Sequence, residues 1–276
     1  MISINCRGRL LHSVDPIVMG VINITPDSFY AGSRFLEFDK VEQQVEKMLE
    51  HGADIIDIGA MSTRPGAEII EPQEELARLL GPIKIIRKRF PDIFISLDTV
   101  SGVVAAACLE EGVDLINDIS GGGIDDTLLD VVAKYKVPYI LMHMLGTPKV
   151  MQHAPTYEDV VLEVLTYLKN RMRILHQKGI TEIIVDPGFG FGKSLVHNYQ
   201  LLKNLSVLNI LDCPILVGMS RKKMVQRIIE QNAENALNGT TAVNMLGLMN
   251  GANILRVHDV KEAAEVVAIY KQYRDS

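Results

Sequence analysis

Cysteine is scarce in this 276-residue chain: Cys6, Cys108 and Cys213 stand far apart, with no CxxC pair. That spacing supports neither a zinc knot nor a disulfide framework, and it suits a reducing compartment. Long apolar runs are missing too, since nowhere do about 18 apolar residues follow one another. The opening MISINCRGRLLHSVDP holds no apolar stretch of signal-peptide length. The expectation is a soluble, cytoplasmic protein with no membrane segment. Basic excess is lacking as well: 28 Lys and Arg against 34 Asp and Glu leave a formal charge of -6. Such a balance argues against a nucleic-acid or anionic-membrane surface, yet leaves room for a local basic pocket around a small anion. Nor does any Pro/Ser-rich linker, low-complexity tract or charge run divide the chain, so residues 1–276 are expected to form one domain.

What is present is a recurrent pattern. Eight short runs rich in Val, Ile and Leu follow one another: PIVMGVI, ADIIDIG, IFISLDT, VDLINDI, PYILMHM, EIIVDPG, PILVGMS and ANILRVH. Segments with apolar residues three and four apart, such as DKVEQQVEKMLEHG and YEDVVLEVLTYLKNRMRILHQKG, lie between them and read as helices. Strands apolar on both faces that alternate with amphipathic helices imply a parallel sheet covered by its crossovers. Eight such units make a TIM (β/α)8 barrel the expected fold, with residues 1–15 closing its floor. A doubly wound open sheet is the alternative, but no GxGxxG follows the first strand to support a dinucleotide version.

The connections are unequal. Turns from helix into strand are short and glycine-marked (HGAD, EEGVD, QKGITE, NGAN), as left-handed helix ends require. Turns from strand into helix are long: Asn23 to Phe38, Gly59 to Glu71 and His143 to Thr156. Loops of that length carry function, and barrel chemistry sits at strand C-termini, so the site is expected there. The first of these loops contains TPDSF, Thr25, Pro26, Asp27, Ser28 and Phe29, before a helix expected to start at Asp39, where Asp39 and Glu42 resemble a capping box. Thr25 and Pro26 suit either a short capped turn or a lid over a ligand.

Every apolar run stops at a polar residue: Asn23, Asp57, Asp98, Asn117, His143, Asp186, Ser220, then Arg256 with His258. A buried carboxylate or amide without a partner costs a few kcal/mol, so such a ring implies mutual pairing or a ligand. Asp57 and His143 each read equally well as structural residues. Asp98, Asn117 and Asp186 supply acceptors and an amide donor, which suits a flat heterocycle with N–H groups, and Lys222 could donate to its carbonyl or ring nitrogen. Arg64, Arg256, His258 and the hydroxyl of Thr63 form a cationic set suited to phosphate oxygens. GFGFGKS, Gly188 to Ser194, fails as a Walker A loop because Pro187 stands where the first glycine belongs, and HExxH is absent. Its glycines let Phe191 and the backbone approach a ligand, or simply make a flexible turn.

In order and along almost the whole chain, NITPDSF, GADIIDIGAMSTRPGA, ISLDT, LINDISG, LMHMLGTPKVMQ, DPGFGFGK, VGMSRKK and RVHDV resemble the dihydropteroate synthase family. The resemblance implies an eight-stranded, homodimeric barrel that joins (7,8-dihydropterin-6-yl)methyl diphosphate to 4-aminobenzoate with Mg2+ present. It further implies that Asp98, Asn117, Asp186, Lys222 and Arg256 hold the pterin, and that Thr63, Arg64, Arg256 and His258 surround the diphosphate. Asn23 would ligate the metal, and Thr63, Pro65 and Phe191 would border the aminobenzoate. Three departures stand out. Tyr30, Ala31, Gly32 and Ser33 replace a usual SDGG, and Gly59, Ala60, Met61 and Ser62 a usual GGES. Lys223 stands where many members have serine near the aminobenzoate carboxylate; it either attracts that carboxylate at a helix start or faces solvent. Aminobenzoate affinity and sulfonamide sensitivity therefore rest on less than pterin binding does. A pterin-binding methyltransferase would have little need for the Arg64, Arg256 and His258 cluster. A non-catalytic paralogue would be expected to lack Asn23, Arg64 or Lys222, and all three are present.

Overall fold

The computed structural model describes residues 1–24, 34–60, 70–146 and 155–276, with 34–38 by backbone alone. After a hairpin of β1 (Ile2–Cys6) and β2 (Arg9–Ser13) come β3 (Ile17–Asn23), β4 (Ile55–Gly59), β5 (Phe94–Asp98), β6 (Leu115–Asp118), β7 (Tyr139–Met142), β8 (Ile183–Asp186), β9 (Leu216–Val217) and β10 (Ile254–Val257). Helices separate these strands: α1 (Arg34–Glu50), α2 (Pro72–Arg89), α3 (Gly102–Glu110), α4 (Asp126–Tyr135), α5 (Val160–Gln177) and α6 (Leu195–Lys203), then α7 (Lys223–Ile229) and α8 (Leu237–Met249) before β10, and α9 (Val260–Arg274) after it.

The strand order β8-β7-β6-β5-β4-β3-β10-β9 is parallel throughout, and a parallel bridge between Val185 and Ile215 joins its two ends. The sheet is therefore a ring, the (β/α)8 barrel expected from the eight apolar runs, and the open-sheet alternative falls because an open sheet keeps two edges. Both faces of each strand are covered, which is why the runs read as continuous rather than alternating. Val18, Ile56, Leu97, Ile116, Leu141, Val185 and Leu255 point outward into the layer shared with helix residues such as Leu79, Ile83, Val104, Leu168 and Val266.

Inward residues at the N-terminal ends of the strands, Ile17, Met19, Ile55, Leu115, Ile140, Ile184, Leu216 and Ile254, form a separate cluster with Ile2, Ile4, Cys6 and Leu11 of the hairpin. The first strands thus close the barrel floor, and chemistry is left to the other end. The short turns behave as expected of glycine: Gly52 and Gly251 enter β4 and β10 at φ of 94° and 100°.

One boundary differs. The helix expected to start at Asp39 begins at Arg34, five residues earlier. RFLEF contains neither Gly nor Pro to stop the helix from extending back, so Asp39 is an exposed residue within α1 and caps nothing. The third long loop also runs on to Asp159, whose carboxylate accepts from the Val161 and Leu162 backbone N–H groups and so sets the start of α5.

Candidate active site

At the C-terminal end of the barrel the inward positions turn polar. Asp57 (β4), Asp98 (β5), Asn117 (β6) and Asp186 (β8) are buried, and Arg256 (β10) and Lys222, just past β9, are half-buried among them. The register explains the meeting: Asp98 lies beside Gly59 on one side and Asn117 on the other. Gly59 leaves the room, since a Cβ there would come within 3.1 Å of the Asp98 Cβ.

The groups separated by chemistry in the sequence are joined in the fold. Arg256 Nε donates to Asp57 Oδ2 at 2.6 Å and its Nη2 to Asp98 Oδ2 at 2.7 Å, while Asn117 Nδ2 donates to the same Asp57 oxygen at 3.1 Å. Asp57 Oδ1 and Asp98 Oδ1 remain buried without a hydrogen-bond partner among the described residues. Such unpaired acceptors are what a ligand with N–H groups would satisfy. Asp186 Oδ1 accepts from the Gly188 N–H at 2.7 Å, which keeps its other oxygen for the mouth.

Burial dominates the electrostatics. Loss of water raises Asp98 to about 7, with the Arg256 cation opposing and the Asp57, Glu75 and Asp118 charges adding to the shift. Asp186 is raised for the same first reason, against the pull of Lys222. Lys222 is lowered to about 8 by desolvation, with Asp186 opposing and Arg256 reinforcing. Arg256, despite its desolvation, stays firmly charged beside Asp57 and Asp98.

His258 follows β10 beside Arg256 and brings an imidazole to that set. Its residue keeps part of its surface in solvent, but the ring loses water and faces Arg256, Arg221 and Lys222, so its pKa falls to about 4 and the imidazole is neutral at pH 7. Ser220 Oγ lies 3.1 Å from its Nδ1, which leaves Nε2 for an incoming ligand.

The turn after β8 is held from two sides. Lys193 is buried and places its Nζ 2.9 Å from His143 Nδ1 while donating to Gly188 O at 2.9 Å and Phe191 O at 3.1 Å. Lys222 Nζ donates to Phe189 O at 2.6 Å and stands 4.6 Å from the centre of the Phe191 ring. Gly188 has φ of 70°, and a Cβ on it would lie 1.9 Å from the His143 carbonyl oxygen. Gly188 and Gly192, where a Cβ would lie 2.6 Å from the Leu145 carbonyl oxygen, are thus demanded by close backbone packing. His143 is a core residue, edge-on to Tyr167 at 4.8 Å between ring centroids and lowered to about 3 by burial and by Lys193.

Asn23 ends β3 and is exposed at the mouth, and Lys223 opens α7 and is exposed. Thr25, Pro26, Asp27, Ser28 and Phe29, together with Thr63, Arg64 and Pro65, lie outside the described residues. So do the departures Tyr30 to Ser33, Met61 and Ser62. The mouth also contains one residue the sequence left open and one it did not single out. Asp57 stood as an even choice between site and scaffold, and Lys193 was only the last letter but one of a glycine-rich string; nothing local to either position signals its role.

The profile of the pterin binding enzyme family matches residues 19–258. The dihydropteroate synthase of Haemophilus influenzae is 42% identical over 258 residues, 93% of each chain. That of Escherichia coli K12 is 40% identical over 265 residues, 95% of this chain and 93% of the relative. Among solved structures, Yersinia pestis dihydropteroate synthase with a sulfonamide drug complex gives a TM-score of 0.94 at 40% identity, with all of both chains covered. The Xanthomonas albilineans enzyme in complex with 7,8-dihydropteroate gives 0.89 at 33% identity, again over all of both chains.

Proposed function

We infer the function from kinship and from the barrel mouth together: the chain belongs to the pterin-binding enzyme family and acts as a dihydropteroate synthase. It joins (7,8-dihydropterin-6-yl)methyl diphosphate to 4-aminobenzoate and releases diphosphate. The observation that carries the residue assignment is the convergence of Asp98, Asn117, Asp186, Lys222 and Arg256 at one end of a barrel whose other end is sealed by apolar side chains.

In this reading Asp98 and Asp186 accept from N–H groups of the pterin, Asn117 adds an amide contact, and Lys222 donates to a ring oxygen or nitrogen. The Arg256 guanidinium lies against the ring and reaches toward the diphosphate, where His258 offers Nε2 as a donor. Thr63 and Arg64 complete the diphosphate set, while Phe191, Pro65, Thr63 and Lys223 belong to the aminobenzoate side. Because Lys223 is exposed at the start of α7, it acts on the carboxylate through a solvated charge.

The chemistry breaks the bond between the pterin methylene and the diphosphate oxygen. Negative charge gathers on the leaving group as the methylene becomes electron-poor, and the fixed Arg256 cation is placed where that charge develops. The neutral aromatic amine attacks through its nitrogen lone pair, a C–N bond forms, and the nitrogen then loses a proton. No strong base is needed, which agrees with a His258 imidazole that is neutral at pH 7.

Among the described residues no group of three His, Cys, Asp or Glu is arranged to hold a metal. A hard divalent ion that keeps waters and takes phosphate oxygens needs only one or two protein ligands, so the Asn23 amide at the mouth fits Mg2+ bound with the substrate. When bound, Mg2+ neutralises charge on the diphosphate. Val196 of α6, Ile228 of α7, and Leu246 and Met249 of α8 are exposed, and this supports pairing of two copies as a homodimer. Three free cysteines, two of them buried, agree with a cytoplasmic setting. No helix among the described residues is long and apolar enough to cross a membrane.

Calorimetric titration of Asp186→Asn with the pterin diphosphate tests the pocket. The carboxamide can keep the Gly188 bond through its oxygen, so the fold should hold while affinity falls by about tenfold or more for a lost charge-assisted hydrogen bond. Unchanged affinity would remove Asp186 from the pterin site.

A further inference from the structure

One carboxylate in the mouth, that of Asp57, has no part in the transfer as described beyond an unpaired Oδ1 with no hydrogen-bond partner among the described residues. Asp57 is fully buried, and its Oδ2 accepts both from Arg256 Nε at 2.6 Å and from Asn117 Nδ2 at 3.1 Å. The three side chains come from β4, β10 and β6, 199 and 60 residues apart in sequence, so the fold alone brings them to one oxygen.

The chemistry of a carboxylate fixes what it does there. An ionised carboxylate only accepts, so it selects one of the two orientations of the Asn117 amide, with Nδ2 toward β4 and Oδ1 away from it. A guanidinium is a rigid planar fork. Tied at Nε by Asp57 and at Nη2 by Asp98, it has its plane defined by two points on neighbouring strands, with Nη1 outside both bonds.

We propose that Asp57 is a positioning residue for the transfer, holding the Arg256 guanidinium by Nε and the Asn117 carboxamide by Nδ2 so that the first meets the leaving diphosphate and the second presents its oxygen to the pterin. The proposal rests on the roles given above to Arg256 and Asn117. A residue that acts by placement leaves a different signature from one that supplies only counter-charge. Asp57→Ala removes both anchors and frees the guanidinium, whereas Asp57→Asn keeps a carbonyl oxygen able to accept from both partners.

The experiment compares steady-state kinetics of the wild-type chain, Asp57→Ala, Asp57→Asn, Arg256→Lys and the double variant Asp57→Ala with Arg256→Lys. Saturating 4-aminobenzoate and Mg2+ are used throughout, and folding is checked by circular dichroism. The expected result is a loss in kcat on the order of a hundredfold in Asp57→Ala, the scale of a misplaced catalytic group, with a higher KM for the pterin diphosphate. Asp57→Asn should recover most of it. Asp57→Ala should cost much less when lysine already replaces Arg256, since the interaction it serves is gone. If Asp57→Ala does not fold, Asp57→Ser, which keeps a polar atom but lacks the reach, is read in its place.

An Asp57→Asn as impaired as Asp57→Ala would mean that charge alone matters and would overturn the proposal. So would effects of Asp57→Ala and Arg256→Lys that simply add. An Arg256→Lys with normal kcat would overturn both the proposal and the role of Arg256 beneath it. An impaired Arg256→Lys with additive Asp57→Ala overturns the proposal alone.

Discussion

Asp98 holds its proton up to about pH 7 because burial strips water from it, with Arg256 opposing and the charges of Asp57, Glu75 and Asp118 adding to the shift. Lys222 gives up its proton at about pH 8, again chiefly through desolvation, with Asp186 resisting and Arg256 assisting. In the proposed reading Asp98 is an acceptor and Lys222 a donor, so the competent form requires Asp98 ionised and Lys222 protonated. As pH rises through about 7 the first condition is met, and as it rises through about 8 the second is lost. The expected kcat/KM for the pterin diphosphate is a bell with its maximum between these values, and its two limbs belong to the coupled cluster. His258, neutral above about pH 4, adds no limb in that range. A profile flat from pH 6 to 9 would contradict this assignment. At this scale the sequence was legible in kind and not in pairing. Asp98, Asn117, Asp186 and Arg256 could be read as polar ends of apolar runs, but which oxygen meets which nitrogen depends on strand register, and Asp57 reaches Arg256 across 199 residues.

The elements of the barrel divide the work between its ends. The turn after β8 carries Phe191 and is fixed by Lys193, Lys222 and a backbone contact that only glycine allows at position 188. A left-handed conformation costs a non-glycine residue roughly 1–2 kcal/mol, and the Cβ at 1.9 Å from a carbonyl oxygen forces the backbone itself to move. Gly188→Ala should therefore lower the melting temperature by several degrees and raise the KM for 4-aminobenzoate, both readable in one preparation; unchanged KM would detach this turn from the aminobenzoate side. The β1–β2 hairpin is the opposite case. Ile4 is 2% exposed in the floor cluster, and Ile4→Ala should destabilise by about 2–5 kcal/mol in urea unfolding while KM values stay put. A changed KM would show that floor and mouth are coupled. The eight barrel strands and their order were readable because each is apolar on both faces, whereas β1 and β2, with buried and exposed residues alternating, were not read as strands. The start of α1 was not, because Asp39 and Glu42 imitate a cap inside a stretch with nothing to end a helix before it.

As a whole the molecule is a net acid, at -6, built around a mouth where Arg256, Lys222 and Lys193 are gathered against Asp57, Asp98 and Asp186. The closed ring makes this possible. Eight strands converge on a small area, their N-terminal layer is filled by isoleucine, leucine and methionine, and at the other end Arg256, Asp57, Asp98 and Asn117 pair with one another while Asp57 and Asp98 each keep one oxygen unpaired among the described residues. Overall charge and local charge therefore answer separate questions, solubility for one and anion recognition for the other. The account as a whole rests on a fixed Arg256 cation at the point where the diphosphate departs, and on an amine that takes the pterin in its place. The direct measurement is diphosphate release from the pterin diphosphate with Mg2+, with and without 4-aminobenzoate, in the wild-type chain and in Arg256→Ala. Release coupled to 7,8-dihydropteroate formation in the wild type, and reduced on the order of a hundredfold or more in Arg256→Ala, is the predicted result. Wild-type binding of the pterin without any release, or normal release in the variant, would contradict it.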